Sequence, residues 1–104
     1  MFVAYQVALE LIRALCPIVV QLKCYDANAA DQVVRAGTSI TLNLGEGSRR
    51  GGKDGKRFYR MARGSAGEIL AALDTADAWG WRVETAAARK LLDRQLALLW
   101  GLCR

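Results

Sequence analysis

A chain of 104 residues, 53% hydrophobic and with a single proline, has enough apolar surface for one modest core and too little length for two. That composition excludes a disordered chain. With no histidine and no Cys-x-x-Cys pair, neither a zinc site nor a histidine-based triad or relay can be assembled, and no cofactor is expected.

Apolar residues recur at helical spacing almost throughout and strand-like alternation is hard to find, so the class is all-α. The first segment, about 2–23, is rich in Val, Leu, Ile and Ala but contains Pro17, which cannot donate to the carbonyl of Arg13. A kink or two shorter helices is the expectation there. The uncharged runs 14–22 and 36–45 fall short of the roughly 18 to 20 apolar residues of a bilayer span, so no membrane helix is expected. The opening "MFVAYQVALE" carries no positive leader and no small-residue cleavage site, which makes a cytoplasmic location the expectation. Cys16, Cys24 and Cys103 are odd in number, and the first two would stand about 12 Å apart along a helix. They read as buried thiols.

Asp26 and Asn28 are suited to cap a second helix, with Ala30, Val33, Val34, Gly37, Ile40, Thr41 and Leu44 on one side and Gln32, Arg35, Ser39, Asn43 and Glu46 on the other. Periodicity alone makes that polar stripe a solvated face. A third helix is expected from Lys53 or Asp54 to Trp79, ending at Gly80, with Phe58, Tyr59, Ala62, Ala66, Ile69, Leu70, Leu73 and Ala76 as its core face. The last helix, about 83–102, is expected to bury Leu91, Leu92, Leu96, Leu99 and Trp100. Four helices with short connections describe an antiparallel four-helix bundle forming a single domain over 1–104.

Between the second and third helices lies "EGSRRGGKDGKRFYRMARGS", residues 46–65. From 49 to 63 it holds Arg49, Arg50, Lys53, Lys56, Arg57, Arg60 and Arg63 against Asp54 alone, an excess of six. The whole chain carries +5, so the remainder sums to −1 and the positive charge is a local feature.

Three readings compete for this stretch. Gly47, Gly52 and Lys53 satisfy the spacing G-x-x-x-x-G-K of a phosphate loop, but Asp54 stands where a hydroxyl is needed and a helix, not a strand, precedes it. The match is accidental. A solvated helix surface with a glycine joint is the ordinary meaning of such a charge run. The third reading is a surface for polyanions, because Lys53, Lys56, Arg57, Arg60 and Arg63 share one side of a helix, where like charges destabilise one another. Phosphates would relieve that repulsion without regard to sequence, and Tyr59 at the edge would add stacking unless, like Phe58, it belongs to the core. Composition leaves the last two readings level.

The order Ser39-Ile40-x-x-Asn43-Leu44-Gly45-Glu46-Gly47, then a basic joint, then Phe58, Ala62, Gly64-Ser65 and Glu68, resembles the four-helix bundle family of ribosomal RNA intervening sequence proteins. Leu44 and Gly45 replace that family's usual Ile-Ala. The resemblance implies assembly into a five-subunit ring, and a relation to the accessory variability determinant of diversity-generating retroelements. It also implies contact with RNA or DNA and with a partner such as a reverse transcriptase. On this resemblance Ser39, Asn43, Glu46, Ser65 and Glu68 form a polar network at a helix or subunit contact, with Arg49, Arg50 or Arg63 as charged donors.

The resulting expectation is a non-enzymatic, self-associating scaffold that binds nucleic acid through the seven cations. A module docking an acidic protein partner is the alternative. An acid-base pair of Glu46 and Glu68 ranks third, since no nucleophile, metal or pocket accompanies it. Trp79, Trp81 and Trp100 exceed what a small core hides, which places one or more in a subunit contact.

Overall fold

The computed structural model describes residues 2–104. They form four helices, α1 (Val3–Lys23), α2 (Ala27–Arg50), α3 (Gly52–Trp79) and α4 (Ala86–Leu102), with no strand among the described residues. Each helix packs on the next and α4 returns to α1, which closes a four-helix bundle. Joints this short leave successive helices antiparallel. At 1.5 Å per residue α3 is about 42 Å long, and it sets the long dimension of a 42 × 22 × 20 Å molecule.

The buried stripes follow the helical period. Leu11, Leu15, Ile18 and Leu22 of α1 meet Val33, Ile40 and Leu44 of α2, Ile69 and Leu73 of α3, and Leu92 and Leu99 of α4 in one cluster. Complete burial of each such Leu or Ile contributes about 1.5–3 kcal/mol relative to leaving it in water. By length and composition α1 alone would also cross a bilayer. Glu10 and Arg13 stand within it, however, and its apolar stripe is spent on the bundle core.

Several local expectations are corrected. Pro17 neither splits nor ends α1, which overturns the expectation of two shorter helices. Pro17 and Arg13 are both exposed, so the carbonyl without a helical donor lies on the solvent side. Cys16 and Cys24 are exposed and Cys103 is half-buried. The first two thiols donate to the carbonyls of Ile12 and Val20 one turn earlier, at 3.4 and 3.8 Å.

In α2, Asp26 is the cap and accepts from the Asn28 amide at 3.0 Å, but Ala36 is buried where Val34 is exposed. Gly80 ends α3 in the left-handed conformation, φ 77°. The final helix then starts three residues later than its apolar pattern suggests. The amides of Arg82 and Glu84 donate instead to the Tyr25 hydroxyl and the Gln21 side chain, both at 3.0 Å, and Tyr25 stacks on Trp81 with ring centroids 5.4 Å apart. Contacts from α1 and the turn after it thus hold the chain out of helix. Arg89 then clasps α4 to the end of α3, reaching Asp74 at 2.8 Å and Asp77 at 3.0 Å.

Trp100 is not core: it is 59% exposed, and the stripe of α4 runs through Ala88, Leu92, Gln95 and Leu99. Gln95 is fully buried and neither of its side-chain polar atoms has a hydrogen-bond partner among the described residues.

Candidate nucleic-acid interface

The basic stretch is helix on both sides of a single residue. α2 runs on through Arg50, Gly51 alone makes the turn, and α3 begins at Gly52, one residue earlier than expected. Two features permit so sharp a reversal. Gly51 has φ 68° and ψ 171°, a region that glycine alone occupies without strain. Just behind it, α2 and α3 touch through Gly47 and Gly55, where a Cβ on Gly55 would stand 2.7 Å from the Gly47 carbonyl oxygen. Tyr59 fills the space beside this contact and meets Phe2 edge-on at 6.1 Å, so its ring is half-buried packing.

This hairpin places Arg49 and Arg50 in the last turn of α2 beside Lys53, Lys56, Arg57, Arg60 and Arg63 in the first four turns of α3. The α3 cations fall within about 120° on a helical wheel, opposite Gly55, Ala62, Ala66 and Ile69. Three of the seven cations are engaged. Glu46 accepts from Arg49 at 2.6 Å and from Arg50 at 2.9 Å, while Asp54 accepts from Arg50 at 2.9 Å and from Arg57 at 3.3 Å. Arg50 therefore bridges the two helices. Its bond and that of Arg49 hold the Glu46 carboxyl below the ordinary range, and bonds from Arg50 and Arg57 do the same for Asp54.

The Phe58 ring lies half-buried beneath two guanidinium groups, Arg57 at 4.5 Å and Arg50 at 5.0 Å from its centroid. Planar guanidinium groups stacked in this way keep their outward edges available for hydrogen bonds.

Lys53, Lys56, Arg60 and Arg63 have no carboxylate within ion-pair distance among the described residues. Lys53 and Arg60 are exposed, whereas Lys56 is half-covered. Arg63 lies over the Trp100 ring at 5.6 Å. From 46 to 63 the surface holds seven cations and two carboxylates, an excess of five that equals the charge of the whole chain. The first turns of a helix favour negative groups, and only Asp54 supplies one there. Neither helix stability nor internal pairing accounts for the cations that remain.

The five polar residues expected to act together divide. Ser65 donates to the Ser39 hydroxyl at 2.8 Å across the α2–α3 contact, and the Asn43 amide donates to the Ser39 carbonyl and hydroxyl at 2.9 and 3.0 Å. Those three form a satisfied link between the helices. Glu46 belongs to the arginine string, and Glu68 is exposed. Since Gly47 faces Tyr59, Glu68 lies about 14 Å further along α3 from the level of Glu46, so the two carboxylates do not share a site. No group of three or more metal-ligating side chains occurs among the described residues.

The string through 46, 49, 50, 54 and 57 is readable in the sequence as i,i+3 and i,i+4 spacings. Nothing in the sequence places Trp100 against Arg63.

The model of the 23S rRNA-intervening sequence protein family matches residues 2–95. The chain belongs to that family. The match spans the arginine string, the Ser39–Asn43–Ser65 link and the Gly47–Gly55 contact, and it ends before Trp100. The family is not a known enzyme family. No curated protein and no solved structure matches the chain.

Proposed function

We propose that this protein is a non-enzymatic, self-associating scaffold that holds RNA or DNA by its phosphates and serves a nucleic-acid-processing partner, a reverse transcriptase being the kind its resemblance implies. The observation that carries this reading is the unpaired character of Lys53, Lys56, Arg60 and Arg63 on a flank where the only carboxylates, Glu46 and Asp54, are already shared by three arginines. Phosphate contacts by such groups release counterions, so affinity falls steeply with salt and depends little on sequence.

The test is the triple variant Lys56→Glu, Arg57→Glu, Arg60→Glu, measured by fluorescence anisotropy on labelled RNA and DNA over a salt series. Affinity should drop alike for all sequences, and the slope of log affinity against log salt should shrink, for each phosphate that the variant no longer neutralises, by about 0.9 on duplex DNA and about 0.7 on single strands. Unchanged affinity would end the proposal.

One observation favours the alternative of an acidic protein partner, namely that Arg49, Arg50 and Arg57 already bind carboxylates. A pull-down in high salt separates the two, because a partner held also by apolar contacts survives while phosphate binding does not.

Self-association rests on a different surface. A cavity of about 270 Å³ opens between α1 and α2, lined by Ile12, Leu15, Val19, Val33 and Gly37 among others. Val20, Val34 and Leu42 stand exposed on the same two helices. A five-subunit ring is the arrangement the family resemblance implies.

A further inference from the structure

We propose that Trp100 is a stacking platform for one unpaired base, so that the basic flank takes single-stranded nucleic acid in preference to duplex. The inference rests on the phosphate-binding reading given above and deepens it. Trp100 is 59% exposed near the end of α4, and the antiparallel packing brings it beside Arg63, the last cation of the band. Trp100, Arg63, Cys103 and Arg104 surround a cavity of about 140 Å³. An indole with a guanidinium over its ring is held in orientation, and Trp100 keeps more than half of its surface open to solvent. Arg63 is free of carboxylates among the described residues and is placed to take the phosphate next to a base lying on Trp100. Stacking of that kind accepts any base, since every base offers a flat face. In a duplex those faces are occupied by neighbouring pairs and cannot reach the indole.

Trp79 provides an internal control. It is 71% exposed at the opposite end of α3, about 24 Å from Arg63 along the helix, and no cation stands over its ring among the described residues.

The experiment titrates the full chain with a deoxythymidine oligomer and with a duplex of the same length, following tryptophan fluorescence and anisotropy. The wild type should bind the single strand more tightly and lose fluorescence on doing so. Trp100→Ala should weaken single-strand binding about tenfold, abolish that quenching and leave duplex affinity within about twofold. Trp100→Phe should fall between, and Trp79→Ala should match the wild type. Circular dichroism establishes that each variant remains helical. If the wild type binds both probes and Trp100→Ala changes neither, or weakens both in the same ratio, the stacking site is wrong while phosphate binding stands. A wild type that binds neither probe overturns both.

Discussion

Gly47 and Gly51 stand four residues apart at the end of α2 and are needed for unrelated reasons. A Cβ on Gly47 would lie 2.6 Å from the Tyr59 ring and 2.9 Å from the Gly55 carbonyl oxygen, whereas one on Gly51 would meet nothing within 4 Å. Gly47→Ala therefore fails by crowding and Gly51→Ala by backbone strain, each at a cost of about 1–3 kcal/mol. Urea unfolding of the two variants measures those losses. The cause is separable by adding Tyr59→Leu, which should recover part of the Gly47→Ala loss and none of the Gly51→Ala loss. Gln95 makes the opposite prediction. Its amide is buried without a partner among the described residues, so Gln95→Met, of similar volume, should raise stability by about 1–2 kcal/mol in the same assay.

At the scale of elements, the α2–α3 joint is held by the string Arg49, Glu46, Arg50, Asp54, Arg57. Both carboxylates have pKa values depressed by their arginines, so their contribution to stability is complete above the ordinary carboxylate range near pH 4. As pH falls through the depressed folded values, protonation removes it. The wild type should lose stability on acidification from about pH 5 downward, and Glu46→Gln should show a shallower loss over that window. Urea midpoints measured across that range check it, and parallel pH profiles for the two proteins would refute the assignment.

How far each element is legible in the sequence depends on where its determinants lie. Asp26, Gly80 and the apolar period act within a few residues, and they define the four helices and most of the core. The start of α4 departs from its apolar pattern because Gln21 and Tyr25, more than fifty residues away, capture the amides of the preceding loop. Trp100 sits beside Leu99 and has the pattern of a core residue, but the buried places on α4 are taken by Ala88, Leu92, Gln95 and Leu99. Which side of a helix a neighbour covers is a tertiary fact. For the same reason the seven cations are legible as a group, and the pairing of Arg49, Arg50 and Arg57 with Glu46 or Asp54 follows local spacings, while the place of Arg63 beside Trp100 is not legible.

Over the whole molecule, the cationic excess and one group of exposed apolar residues occupy different surfaces. The cationic excess gathers at the end of the bundle where α2 turns into α3, whereas Val20, Val34, Leu42 and the adjoining groove lie on α1 and α2. Copies joined through the apolar surface would keep their basic ends free and bring several bands onto one strand. Linked sites of this kind gain affinity without new contacts. The double variant Val34→Lys, Leu42→Lys should therefore give a monomer by light scattering while circular dichroism stays unchanged, because Leu42 at 67% exposure and the half-exposed Val34 contribute little to the core. On a long single strand the variant should bind at least about tenfold more weakly than the wild type, despite its two added positive charges. On an oligomer too short to span two copies, the two proteins should bind alike. A variant that remained assembled would move the subunit contact to another surface, and a monomeric wild type would remove it.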